Sequence, residues 1–204
     1  KDDEINKYIK VDFFDKDFKK VNASRYFDKE LFSVESTFSF SYSGNLVVIR
    51  KDEKYGLADK NGKEIIKPKY SKIYKFSEGL VAVELDYKWG FVDETGKEVI
   101  EPKYDFIGRL SDGFAIVRKE ADIGFIDKNG KEVIPPKYRH AFQFSEGMAA
   151  VTEKDFKYGF IDTRGREVVK RKYDDVNIFK EGMALVKIGR KCGFVDKTGR
   201  EVVK

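Results

Sequence analysis

His140 is the only histidine and Cys192 the only cysteine among the 204 residues, so no second imidazole or thiol is at hand for a metal cluster. No activated Ser or Cys motif surrounds His140, and a nucleophile–base–orienter triad has no other candidate base, which leaves the histidine as a loop or surface residue. Carboxylates do pair, as in Asp93 with Glu98 and Asp127 with Glu132. Two acids at that separation could perform general acid–base work, but the pair recurs in every copy of a motif and a Lys or Arg beside it keeps both acids ionised. They read as solvated turn charges. The same D-x-[NTR]-G-[KR]-E segments have the wrong spacing for an EF-hand, since glycine falls three residues after the Asp and a basic residue follows at once. Glycine-rich phosphate loops are absent. The sequence therefore assigns no catalytic residue, no metal ligand and no cofactor.

One constellation is different in kind. Lys69-Tyr70, Lys103-Tyr104, Lys137-Tyr138 and Lys172-Tyr173 recur about one period apart. If successive periods stack, four cationic and four aromatic groups form parallel ladders able to bind an extended anionic or carbohydrate-like partner by stacking, cation–π contact and charge. The competing reading is packing: each Tyr closes a core or an inter-unit contact and each Lys is a solvated strand-end charge, because a repeated fold repeats its side chains without any ligand.

The elements that would carry these residues follow from the repeat. Gly56, Gly90, Gly124, Gly159 and Gly193 mark one position, and Gly62, Gly96, Gly130, Gly165 and Gly199 another six residues later, with steps of 34 or 35 residues. Helix pairs share that period, but about three glycines per unit, β-branched clusters such as EVI and VAV, and a proline in several copies are costly in helices. Apolar residues alternate or run in short blocks, as in strands. Each unit reads as three strands: residues 80–85 (LVAVEL) after a Glu78-Gly79 turn, residues 89–93 (WGFVD), and a third from Lys97 toward Tyr104. Asp127-Lys128-Asn129-Gly130-Lys131 suits a type I turn closed by a glycine of positive φ. In the first strand Leu80, Phe114, Met148 and Met183 are bulky, whereas Val81, Ala115, Ala149 and Ala184 leave a thin face with room for Phe91, Phe125, Phe160 or Phe194 of a neighbour. Glycine inside the second strand marks a bulge or close backbone approach, and is expected at the contact between adjacent units. Cys192 takes a recurring Trp/Tyr place and is expected to be a buried, inert thiol. Residues 14–21 align with IDKNGKEV, a degenerate hairpin with Phe18 at the turn-glycine position, followed by an insertion. A short helix within residues 16–36 is the alternative there.

The pattern [WY]-G-[FL]-[VIA]-D-x-x-G-[KR]-E-[VI]-[IV]-x-P-K-Y resembles the WG, or KWG, repeat of bacterial proteins over residues 44–204, with Trp89 the single tryptophan and Tyr55, Ile123, Tyr158 and Cys192 in its place. The resemblance implies a β-rich scaffold, often envelope-associated or secreted, with no established catalytic residues. The expected fold is all-β: residues 1–45 form a degenerate hairpin or cap, and residues 46–204 five three-stranded antiparallel meanders stacked as an elongated, curved solenoid, a closed propeller-like ring being the alternative. The expected function is a non-catalytic binding or scaffolding module for a protein or glycan partner. Alternatives are a glycan-acting enzyme, or the repeat segment of a larger protein whose activity lies elsewhere. Lys and Arg total 41 against 36 Asp and Glu, and the signs are interleaved, so no basic arm points to specific nucleic-acid binding. No apolar run is long enough to span a bilayer. The missing initiator Met is compatible with a removed signal peptide, hence with an extracytoplasmic location, although trimming leaves the same trace.

Overall fold

A computed structural model describes residues 8–14, 20–28, 46–59 and 63–203, all of them strand, turn or irregular backbone with no helix. Strands β1 (Tyr8–Phe14) and β2 (Lys20–Asp28) pair antiparallel, with a register shift after Asp12. The first repeat sheet is β3 (Leu46–Lys51), β4 (Lys54–Asp59) and β5 (Glu64–Tyr70). The second is β6 (Lys72–Ser77), β7 (Leu80–Leu85), β8 (Lys88–Asp93) and β9 (Glu98–Tyr104). The third is β10 (Phe106–Ile107), β11 (Phe114–Lys119), β12 (Asp122–Asp127) and β13 (Glu132–Tyr138). The fourth is β14 (His140–Ala141), β15 (Met148–Thr152), β16 (Tyr158–Asp162) and β17 (Glu167–Tyr173). The fifth is β18 (Asp175–Val176), β19 (Met183–Ile188), β20 (Lys191–Asp196) and β21 (Glu201–Val203). The chain divides into two compact units, residues 1–102 and 103–204.

Four of these sheets have four strands where the sequence predicts three. The residues after each Lys-Tyr turn back to pair with the following strand, as Ile107 does with Val117 and Val176 with Val186. In the last three sheets this strand is two residues long, too short to produce an alternation that sequence can display.

The turns follow from local chemistry. Between the third- and fourth-named strands of a sheet, Gly96, Gly130, Gly165 and Gly199 have φ of 76–87° and donate N–H to the carbonyl of the Asp three residues earlier. The Asp carboxylate completes the turn: Asp93 Oδ1 accepts from the N–H groups of Thr95 and Lys97, and Asp127 Oδ1 from those of Asn129 and Lys131. Gly62 lies outside the described residues. Before the first long strand, Glu78-Gly79, Asp112-Gly113, Glu146-Gly147 and Glu181-Gly182 both have positive φ, as a two-residue type I′ hairpin requires.

The glycine inside the second long strand does mark a close backbone approach, but within its own sheet rather than between units. A Cβ on Gly90 would lie 2.3 Å from the Ile100 carbonyl oxygen and 2.8 Å from the Pro102 nitrogen, and one on Gly124 would lie 2.4 Å and 2.6 Å from the matching atoms of Ile134 and Pro136. The ladder shifts register here: Ile123 faces Tyr138, yet Phe125 faces Ile134. Proline fits opposite the glycine because a bulge needs no ladder N–H from it. The contact between repeats is instead made by the turn glycine. Gly96 packs on Ile65 and Ile66 of β5, and Gly165 on Ile134 of β13.

The cores lie between consecutive repeats. Leu57, Ile66 and Tyr70 of the first repeat sheet join Val81, Val83 and Val92 of the second. Phe125, Ile134 and Tyr138 join Ala149, Val151 and Ile161, and Phe160, Val169 and Tyr173 join Ala184, Val186 and Val195. The thin face thus receives the neighbour's aromatic ring as its residue sizes require. Phe194 holds the same position as Phe125 and Phe160, which are fully buried, and is 40 % exposed. Cys192 is exposed too, contrary to the buried thiol expected from its repeat position, because its small side chain makes none of the ring contact by which Trp89 stacks on Tyr74.

Candidate functional site

The four Lys-Tyr pairs sit at the ends of β5, β9, β13 and β17. Tyr70, Tyr104, Tyr138 and Tyr173 are 0–2 % exposed, so their rings are enclosed and present no face to a stacking ligand. The preceding lysines are exposed, and each ammonium lies 4.9–5.2 Å from the centroid of its neighbouring tyrosine.

The partner that sequence reasoning left out of this constellation is the Glu of the next repeat's D-x-x-G-[KR]-E turn. Tyr70 Oη donates to Glu98 Oε1 at 2.8 Å, Tyr104 to Glu132 at 2.5 Å and Tyr173 to Glu201 at 3.2 Å. The lysines join the same carboxylates, Lys69 at 2.8 Å, Lys103 at 3.9 Å and Lys172 at 2.9 Å. Each Glu therefore clamps the preceding repeat. At Tyr138 the equivalent acid, Glu167, turns instead to Arg171 at 2.9 Å. Arg171 replaces the proline of the other repeats, and this step is 35 residues rather than 34, so both the competitor and the spacing change here.

The electrostatics hold protons still. Burial first, and then the carboxylate of Glu98, push the Tyr70 phenol well above the ordinary tyrosine range, while Lys69 and the Tyr70 hydroxyl hold Glu98 below the ordinary carboxylate range. Burial likewise raises Tyr104. Acid–base work near neutrality needs the two values brought together, and here they are driven apart. The turn aspartates behave similarly: the Thr198 hydroxyl, with N–H groups of Arg200 and Thr198, lowers Asp196 to about 2. His140 is exposed, its ring centroid 6.0 Å from that of Phe156. Among the described residues no three His, Cys, Asp or Glu side chains converge as a metal site would require.

The residues between each Lys-Tyr and the next turn share only two apolar positions from repeat to repeat, and sequence reasoning passed over them. In the unit 103–204 they form a groove of about 730 Å³, lined among others by Phe106, Arg109, Phe142, Gln143, Ile178 and Lys180. The available signal was compositional: Phe106 and Ile178 stand at places where the other repeats are polar.

Among solved structures the chain is similar to the computationally designed Ika8 protein, at 15 % identity over 79 % of this chain and 58 % of that one, with a TM-score of 0.46. It is also similar to BamB from Moraxella catarrhalis, at 13 % identity over 79 % and 58 % and a TM-score of 0.44. A third is Hsv2p from Kluyveromyces lactis, at 12 % identity over 91 % and 69 % and a TM-score of 0.44. The chain spans less than two thirds of the length of the first two. No curated protein matches it. The WG containing repeat matches in four consecutive copies, at residues 55–89, 89–121, 123–155 and 158–192. These copies contain the second-strand glycine, the Asp-capped turn, the turn Glu and the Lys with its buried Tyr that build the sheets described above, and the chain belongs to the WG containing repeat family.

Proposed function

We propose that the chain is a non-catalytic binding or scaffolding module that presents its repeated charged surface, and the residues that vary between repeats, to a protein or glycan partner. The observation that carries this reading is where the motif's reactive groups go. The Asp of each turn is occupied by backbone N–H groups, and three of the four tyrosines donate to a Glu of the next repeat. The chemistry that recurs is spent on holding repeats together, and what faces solvent is lysine and the residues that vary. The same reading has the repeats stacked as an open, curved solenoid capped by residues 1–45. Cores shared by consecutive repeats and the exposed Phe194 support the open array, and burial of Ile49 and Ala58 on the leading face of the first repeat sheet supports a cap.

The immobilised chain, probed with glycan and peptide arrays, is expected to retain one class of polymer saturably and to release it chemically intact. Cleaved or altered ligand would move the reading to an enzyme, and retention of nothing would remove the binding role.

A further inference from the structure

We propose that the groove in residues 106–180 is a docking site for an extended acidic peptide segment, a proposal that rests on the binding-module reading. Its apolar side chains would lie against Phe106, Phe142 and Ile178, and its carboxylates would meet Arg109 and Lys180.

The fold does not require these residues. In this segment Ile107 and Leu110 are buried in one repeat, Phe144 in the next with Ala141 half-buried, and Val176 and Phe179 in the last, and those positions are apolar throughout. The outward positions differ. Phe106 is matched by Lys72, His140 and Asp175, and Ile178 by Lys75, Arg109 and Gln143, whereas Phe142 is matched by Gly108 and Asn177 and, in the second repeat sheet, by Tyr74. Polar residues serve at the first two places and glycine or asparagine at the third, yet each of the last three repeats places one large apolar group outward, at a different position each time. Phe106 is 42 % exposed and Phe142 and Ile178 38 %, and all three line the same groove. Repetition of the scaffold cannot produce a convergence that breaks the repeat, and adjoining exposed apolar groups of this kind mark interaction sites.

Charge distinguishes the groove as well. Arg109 and Lys180 line the groove and no Asp or Glu does. Several lysines elsewhere on the repeats are paired, Lys157 with Asp174 and Lys197 with Glu146 among them. Among the described residues neither Arg109 nor Lys180 has an acidic partner. Arg118 adds a third cation over the Phe106 ring, 5.7 Å from its centroid. The charged side chains that line the groove are therefore all cationic, which favours an anionic occupant and speeds its encounter.

Shape distinguishes it too. Gly108 carries no side chain and opens the floor onto Ile116, whose Cβ would be 3.4 Å from an added Cβ. Phe142 is held by Tyr158, ring centroids 5.8 Å apart, so the wall is set before a ligand arrives. Gln143 and Asn177 supply carboxamide donors and acceptors suited to an extended peptide backbone.

The test uses the full chain immobilised against a random-sequence peptide library, followed by fluorescence anisotropy of the enriched peptide at about 0.15 M salt. Enrichment of sequences joining Asp or Glu to large apolar residues is expected. The variants borrow residues that other repeats carry at the same positions, so their folding is preserved: Phe142→Asn with Ile178→Gln, and Arg109→Gln with Lys180→Ser. Each pair should weaken binding by about tenfold or more, with an unchanged melting temperature, and the charge pair should also flatten the salt dependence. Enrichment of basic or purely polar sequences, no enrichment, or equal binding by both variant pairs would overturn the proposal. A ligand retained by the arrays above but bound equally by these variants would overturn the groove while leaving the module reading in place.

Discussion

Tyr104 shows how a side chain that could bind a ligand becomes a fastener. Its ring is buried, and its hydroxyl reaches a carboxylate 28 residues away in the next repeat. Tyr104→Phe keeps the packing and removes one hydrogen bond to a charged acceptor, so the expected cost is about 1–2 kcal/mol, reduced toward the lower end because Glu132 is partly solvated. Tyr138→Phe is the control, since Glu167 there is held by Arg171, and it should cost clearly less. Thermal unfolding of the two variants decides: equal losses would show that the phenol–carboxylate bond contributes nothing beyond the ring. The sequence displayed both the tyrosine and the glutamate of this clamp. It did not display their pairing, because recurrence reports a period and every side chain in the repeat shares it.

Two glycines per repeat do opposite work, and a substitution at each separates them. Gly113 has φ of 78° and nothing within 4 Å of an added Cβ, so Gly113→Ala meets only the left-handed backbone penalty of about 1 kcal/mol. Gly124 needs no unusual φ, but its added Cβ would lie 2.4 Å from the Ile134 carbonyl, and β12 and β13 must part to admit it. Gly124→Ala should therefore cost about 3 kcal/mol or more. Denaturant midpoints of the two variants check this, and an equal or larger loss at Gly113 would contradict the bulge as drawn. The turns were legible in sequence because D-x-N-G-K acts through bonds it makes within five residues. The short strands β10, β14 and β18 were not, since two residues carry no period. The second-strand glycine was legible as a close approach but not as to what approaches, because its neighbour is a backbone carbonyl that any residue would supply.

A 34-residue meander is below the ~40 residues at which a chain usually needs association, disulfides or metal to stay folded, and the cores here are accordingly joint property of consecutive repeats. That dependence was readable from the large and small faces of the first long strand. The angle each repeat adds to the last was not, because it comes from how the faces pack rather than from which residues meet. Removing the last repeat tests both. A cut after Tyr173 is the natural one: β17 runs through Lys170, and Tyr173 belongs to the core that Phe160 and Val169 share with Ala184, Val186 and Val195. In an open array the 1–173 fragment loses one interface and leaves Phe160 as exposed as Phe194 now is. It should still unfold cooperatively, at a lower denaturant midpoint and with a smaller m-value in keeping with its smaller buried surface. In a closed ring the same cut would uncover two faces at once, and a fragment that aggregates or shows no cooperative transition would replace the open solenoid with the ring.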